Sequence, residues 1–306
     1  MNSVSIDGNN GDTIKKTKKY MSDKKFGWIL ISPLILMLIV FMLYPTIYAI
    51  FMSFQKNIGK GVEGYIGADN YRAMLTNPEM WASLRRTIIL IVVCIVFELV
   101  LGMLIALILN REFKGMNVVR GLCFMPLLIA PLAMSLMWSY MLRTGYGPIN
   151  VLLSYFGITG IGWFADINMA FGTIIGITIW QWLPFSTFVL LAGLKGLPKD
   201  QFEAAQVDGA SSLYRFRRLT LPTLKPLIMI IVLLRVMWLI RTYDPLYGTT
   251  KGGMNTELFD WFVFKQPFVY SNIGTGTALG VFSLVITLLL ANVLYRYLMK
   301  AMNENS

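Results

Sequence analysis

Histidine does not occur in these 306 residues, and cysteine occurs only twice, as Cys94 and Cys123. Without imidazole the chain has no histidine-activated nucleophile, no imidazole metal ligand and no histidine proton relay, which removes several classes of enzyme. Both cysteines lie inside apolar runs, so neither a disulfide framework nor a thiolate metal site is expected, and both read as packing residues. Charged residues are scarce at 14%, and no G-x-x-x-x-G-K-[ST] run is present to cradle nucleotide phosphates. The expectation is a chain with no catalytic residues, no metal site and no cofactor of its own.

Apolar surface is what the chain has in quantity. Hydrophobic residues make up 56% of it and the mean hydropathy is +0.61, outside the range of a water-soluble domain. Six apolar runs, at 27–54, 87–109, 121–142, 169–194, 227–243 and 276–299, can each cross a hydrocarbon layer of roughly 30 Å, which takes about 20 helical residues. The first run exceeds the core of a signal peptide and reads as a retained span interrupted by Pro33 and Pro45. The expected fold class is an all-α membrane protein with six transmembrane helices. A basic cytoplasmic tail at 1–26 and a short one at 300–306 flank the transmembrane domain at 27–299.

The net charge of +11 is distributed along the flanks of the apolar runs and is not interleaved with aromatics, so it reads as topology and not as a nucleic-acid surface. Lysines 15, 16, 18, 19, 24 and 25, Arg111, Lys114, Arg120 and the arginines at 215, 217 and 218 all fall on one side of the predicted spans. By the positive-inside rule that side is the cytoplasm, with both termini inside. The outer loops carry Tyr65, Tyr71, Trp81, Trp261, Phe262, Phe264 and Phe268, which suit a membrane interface or a docking surface.

Between the fourth and fifth runs lies a polar, basic island at 195–226 that reads as two short helices parted by a glycine. Asp200 can cap the first, with Glu203 completing a capping box. Gly209 then supplies the left-handed residue that ends it, and Ser211 or Ser212 can cap the second. Pro222 and Pro226 close the unit. In the second helix Leu213, Phe216 and Leu219 or Thr220 share one side, leaving Arg215, Arg217 and Arg218 towards water or headgroups. Such an element should lie along the membrane surface and offer a compact knob to a partner.

Glu203, Ala204 and Ala205, then Gly209, then Leu219-Thr220-Leu221-Pro222 resemble the EAA signature of permease subunits of ABC importers. Leu219 stands where the family has isoleucine, a swap that keeps volume and apolarity. The flanking LPKDQFEAAQVDGAS and LPTLKP are similar to the maltose-type, sugar-importing branch, first permease. NREFKGMNVVRG and GYGPIN look like loops of the same family, and TTKGGMNTELFDW resembles another stretch of it with Met254 in place of a proline. The resemblance implies the type I ABC importer (MetI-like) permease fold in a bacterial cytoplasmic membrane. It also implies a second, homologous permease, two ATP-binding cassette ATPases that hold the ATP and Mg, and an extracytoplasmic solute-binding protein delivering a sugar or oligosaccharide. Glu203, Ala204, Ala205, Asp208, Gly209, Ala210, Leu213, Leu221 and Pro222 would then form the coupling element seated in the ATPase.

Two ionisable residues, Glu98 and Arg235, fall at membrane depth, where a charge costs about 2.5–3.5 kcal/mol to insert. They read either as polar contacts for a hydroxylated solute or as a structural pair between helices. Gln181, Trp182, Trp238 and Tyr243 could line a solute path, their aromatic faces stacking on sugar rings, or serve as interfacial anchors. Pro184 reads as a break in the fourth helix. An importer for a glycerol-phosphate-type polyol, an osmolyte or a peptide is the nearest alternative. An ion-driven secondary transporter would need an ion site and commonly inverted repeats, an intramembrane hydrolase an activated nucleophile, and a scaffold would have no use for the coupling signature.

Overall fold

The computed structural model describes residues 23–59 and 61–303, so most of the expected N-terminal tail lies outside the described residues. Two compact units divide between Tyr48 and Ala49. In the first, α1 (Asp23–Leu38) runs through Pro33 without a break and is followed by a π-helical turn at Ile39–Leu43 and the start of α2 (Tyr44–Met52). The Tyr44 N–H reaches back to the Ile39 carbonyl, one residue further than in an α-helix, immediately before Pro45. Proline has no N–H and its ring crowds the carbonyl four residues back; the wider turn absorbs both effects, so the span is bulged where an interruption was expected.

The described chain is all-helical as expected, apart from one short hairpin that opens the second unit, β1 (Gln55–Ile58) and β2 (Gly61–Tyr65). The Asn70 amide, on α3 (Asp69–Thr76), donates to the carbonyls of Ser53 and Gln55, both at 2.9 Å, and holds the hairpin down. There follow α4 (Pro78–Leu109), α5 (Met116–Leu128), α6 (Pro131–Met141), α7 (Pro148–Ser154) and α8 (Ile167–Lys195). The chain continues through α9 (Lys199–Val207), α10 (Ser212–Arg215), α11 (Leu221–Leu239), α12 (Asp244–Tyr247), α13 (Phe259–Phe268) and α14 (Ile273–Asn303).

Among the described residues, Phe26–Met52, Pro78–Leu109, Ile167–Lys195, Ser212–Leu239 and Ile273–Lys300 are long and apolar enough to span a bilayer. The third predicted span is instead a pair, α5 and α6, bent by 96°. Ile129 (φ −80°, ψ 128°) and Ala130 (φ −57°, ψ 134°) are not helical, because Pro131 pushes the residue before it out of the helical region. Pro184, by contrast, does not break α8, which continues to Lys195. The fifth span begins at Ser212, not at 227. A second π turn, Phe216–Thr220, carries the helix into Pro222 with the spacing of the turn before Pro45, so the prolines do not close the polar island.

Hydrocarbon gives helices no hydrophobic reason to associate, so close packing must do it. Gly102 on α4 allows that approach: a Cβ there would stand 3.3 Å from the Ser186 Cβ and from the Thr187 nitrogen of α8. Met103, Ala106, Leu190, Leu191, Leu224 and Ile231 fill the interface of α4, α8 and α11 below it. At the other end Leu90, Cys94, Ile174, Leu239, Leu246 and Trp261 form a second cluster. Trp261, in this cluster, and Phe262, in a further one with Met74, Met80 and Phe259, are both expected on an outer surface and are buried. Met254 has φ +52°, a value no proline can adopt, so the departure from the family pattern marks a different turn at 251–255.

Candidate substrate cavity and cytosolic coupling element

Glu98 and Gly102 lie four residues apart on one face of α4, the face that meets α8 and α11. Arg235 occupies the corresponding buried stripe of α11, between Ile231 and Leu239. The two charges meet as a bidentate pair: Arg235 Nε donates to Glu98 Oε2 and Arg235 Nη2 to Glu98 Oε1, each at 2.6 Å. Neither side chain is more than 1% exposed. The guanidinium face lies on Trp182, with Cζ 4.8 Å from the ring centroid, and Trp182 is 4.8 Å from Trp238, which is tilted by 36°. Two positions 137 residues apart are therefore joined by a planar fork on a carboxylate, with an aromatic ring closing one side.

Beside this pair is a cavity of about 240 Å³ lined in part by Gln181, Trp182, Arg235, Trp238, Arg241 and Asp244. Four of the six residues singled out from the sequence line it. Glu98 stands behind the wall through Arg235. Tyr243 does not line it: the ring lies past the end of α11 and stacks on Trp261 and Tyr247, with centroids at 5.2 and 5.5 Å. Gln181 has a structural bond as well, donating from Nε2 to the Ile129 carbonyl at 3.1 Å, an acceptor set free by the bend between α5 and α6. Within the fields of Arg241 and Asp244, burial raises the Asp260 carboxyl to about 6, Arg241 opposing the shift and Asp244 adding to it.

In the polar island α9 starts two residues earlier than predicted, with Pro198, in extended backbone, at the N-cap position, so Asp200 falls in its first turn and no capping box forms. Glu203 is exposed and opens instead on a cleft of about 690 Å³ shared with Asn110, Glu112, Lys195 and Gln206. The helix ends as a Schellman motif: the Ala210 N–H bonds the Ala205 carbonyl at 2.9 Å and the Gly209 N–H that of Gln206 at 3.1 Å, with Gly209 at φ +79°. Ser211, not Ser212, caps α10, accepting from the Tyr214 N–H at 3.3 Å. Arg215 does not turn to water but donates to Gln206 Oε1 at 3.0 Å, tying the two helices together. Leu213 does not tuck under the helix; with Val207 and Tyr214 it leaves an apolar surface in the open, at 58%, 88% and 57% exposure. Asp208, Gly209, Ala204 and Pro222 are exposed, and Ala205, Ala210 and Leu221 half-buried.

Several polar residues that shape these loops carried no readable signal of their own. Arg86 donates to the Glu257 carbonyl at 2.9 Å and to Asn255 Oδ1 at 2.6 Å, clasping the loop at 251–257. Arg120 donates through Nε and Nη2 to the Leu109 carbonyl at the end of α4. Asn150, within GYGPIN, donates to the carbonyls of Arg143 and Ile161 and accepts from Trp163 Nε1. Apart from membership of a matching loop, nothing in the residue type or spacing distinguishes such bonds from surface polarity.

Residues 98–304 match the family described as binding-protein-dependent transport system inner membrane component. The trehalose/maltose transport system permease protein MalF of Thermococcus litoralis is 32% identical over 270 residues, 87% of this chain and 91% of that protein. The trehalose transport system permease protein SugA of Mycobacterium tuberculosis (strain H37Rv) is 30% identical over 268 residues, 87% and 86% of the two chains. The fold is that of a chain in the crystal structure of a bacterial alginate ABC transporter in complex with an alginate pentasaccharide-bound periplasmic protein. The TM-score there is 0.77 at 21% identity, covering 89% of this chain and 94% of that one. The chain therefore belongs to the inner-membrane permease family of binding-protein-dependent ABC importers, as a non-catalytic, multi-pass component of the cytoplasmic membrane.

Proposed function

We propose that the solute is a sugar or oligosaccharide, and that the island at 195–226 receives the stroke of a separate ATPase and passes it to the cavity. The observation that carries the mechanical part is the helix from Ser212 to Leu239, continuous through its π turn. Its foot joins α9 through the Schellman turn and the Arg215–Gln206 bond; Arg235 and Trp238 sit at its other end. At 1.5 Å per residue, a displacement at Ser212 is delivered to Arg235 about 35 Å away. A rigid rod moved at one end is the form of helix shift that alternating access requires. The basic flanks support a cytoplasmic position for this foot.

The partners in this reading are a second, homologous permease, two ATPases carrying ATP and Mg, and an extracytoplasmic solute-binding protein. The family's description as binding-protein-dependent, and the periplasmic protein in the alginate structure, support that set. The names of the trehalose and maltose permeases support the sugar class, as does an aromatic and hydrogen-bonding lining. The test is the ATPase rate of the importer reconstituted with its own partner subunits. It should rise when the solute-binding protein carries trehalose, maltose or a related oligosaccharide. Stimulation by peptides or osmolytes and not by sugars would overturn the sugar assignment.

A further inference from the structure

We infer that the cavity is built for a neutral hydroxylated ring, and that Glu98 is the positioning residue that makes it so by occupying the charge of Arg235; this rests on the sugar reading above. An arginine fork facing a small cavity is ordinarily an anion site, because its planar N–H groups match a carboxylate or phosphate in pairs. Here the pairing is already used. Nε and Nη2 are both bound to Glu98 at 2.6 Å, Trp182 covers the ring side, and only Nη1 is left over by the carboxylate. What remains is a fixed hydrogen-bond donor without an unmatched charge.

The rest of the lining is balanced only in formal charge, by proximity and not by a direct pair. Arg241 shares the cavity wall with Asp244, and Asp260 lies within its field. An anionic solute entering here would lose its hydration, find Arg235 already paired and meet Arg241 only within the opposing fields of Asp244 and Asp260, a penalty in a medium of low dielectric. A neutral pyranose loses far less: Trp238, 40% exposed, offers an aromatic face, and Gln181, Thr178, Thr242 and Arg235 offer hydrogen-bonding groups. The volume of about 240 Å³ is below that of drug-sized pockets, roughly 300–1,000 Å³, and suits one ring at a time.

The experiment is saturation-transfer NMR on the assembled permease–ATPase complex without its solute-binding protein, so that only the membrane site selects. The probes are methyl glucoside and methyl galactoside against the matching uronosides, which replace one hydroxymethyl group by a carboxylate. The intact complex should favour the neutral member of each pair by about tenfold, and Glu98→Gln should shift the ratio towards the uronoside by a similar factor. Glu98→Asp should keep the neutral preference, and so should Glu98→Gln/Arg235→Gln, which removes both charges. Should Glu98→Gln fail to assemble, the ratios in the intact complex and the double variant still decide. Equal binding of both members by the intact complex, or an unchanged ratio in Glu98→Gln, overturns the inference alone. Binding of none of the four overturns the sugar reading, and this one with it.

Discussion

Glu98→Ala and Arg235→Met should each destabilise the chain by about 3–5 kcal/mol, whereas Glu98→Leu/Arg235→Met should return to within about 1 kcal/mol of the parent. Each single change leaves a charge that is at most 1% exposed without its partner. Removing both leaves apolar side chains among Trp182, Ile231 and Leu239, where they can pack. The pair bridges α4 and α11, so the loss should be cooperative and the two single effects strongly non-additive. Folded fraction in mild detergent, followed through a denaturant titration, measures it. A double variant no more stable than the worse single one would mean that the two charges do not depend on each other.

Glu203→Lys combined with Gly209→Pro should abolish solute uptake, by about 100-fold or more, while leaving basal ATP hydrolysis in the complex. Gly209 has φ +79° and donates its N–H to Gln206. Proline can satisfy neither condition, so the end of α9 must move. Glu203 is exposed, and a substitution there should cost less than about 0.5 kcal/mol in stability. A loss of transport with basal hydrolysis retained in the assembled complex would therefore come from the joint and not from unfolding. The expected pattern is hydrolysis that no longer responds to the loaded solute-binding protein. Undiminished uptake would remove the coupling role assigned to residues 203–213.

The large features of the fold were legible because a bilayer enforces them. Apolar runs near 20 residues and the one-sided lysines and arginines need no tertiary information. Gly209 was legible too, since few residues other than glycine close a Schellman motif without strain. The errors cluster at prolines. Pro33 and Pro184 are carried inside helices, Pro45 and Pro222 are met by π turns, and Pro131 bends a span by 96°. The sequence shows only the missing N–H; whether the helix breaks, widens or persists depends on what packs around it. The Glu98–Arg235 contact was one of two open alternatives, because helix register and rotation, not sequence spacing, bring α4 and α11 together. Tyr243 was misplaced relative to the cavity for the same reason: its position follows from where α11 ends.

The central claim is that the turn after α9 is seated in an ATPase on the cytosolic face. Val207, 88% exposed beside Gly209, is the place to ask. In a chain whose Cys94 and Cys123 are replaced by alanine, Val207→Cys should cross-link to the ATPase subunit of the assembled importer through a short bismaleimide, with a yield that changes when ATP is bound. Absence of any cross-link, together with labelling of the same cysteine by an impermeant thiol reagent from the outer face of intact cells, would contradict it.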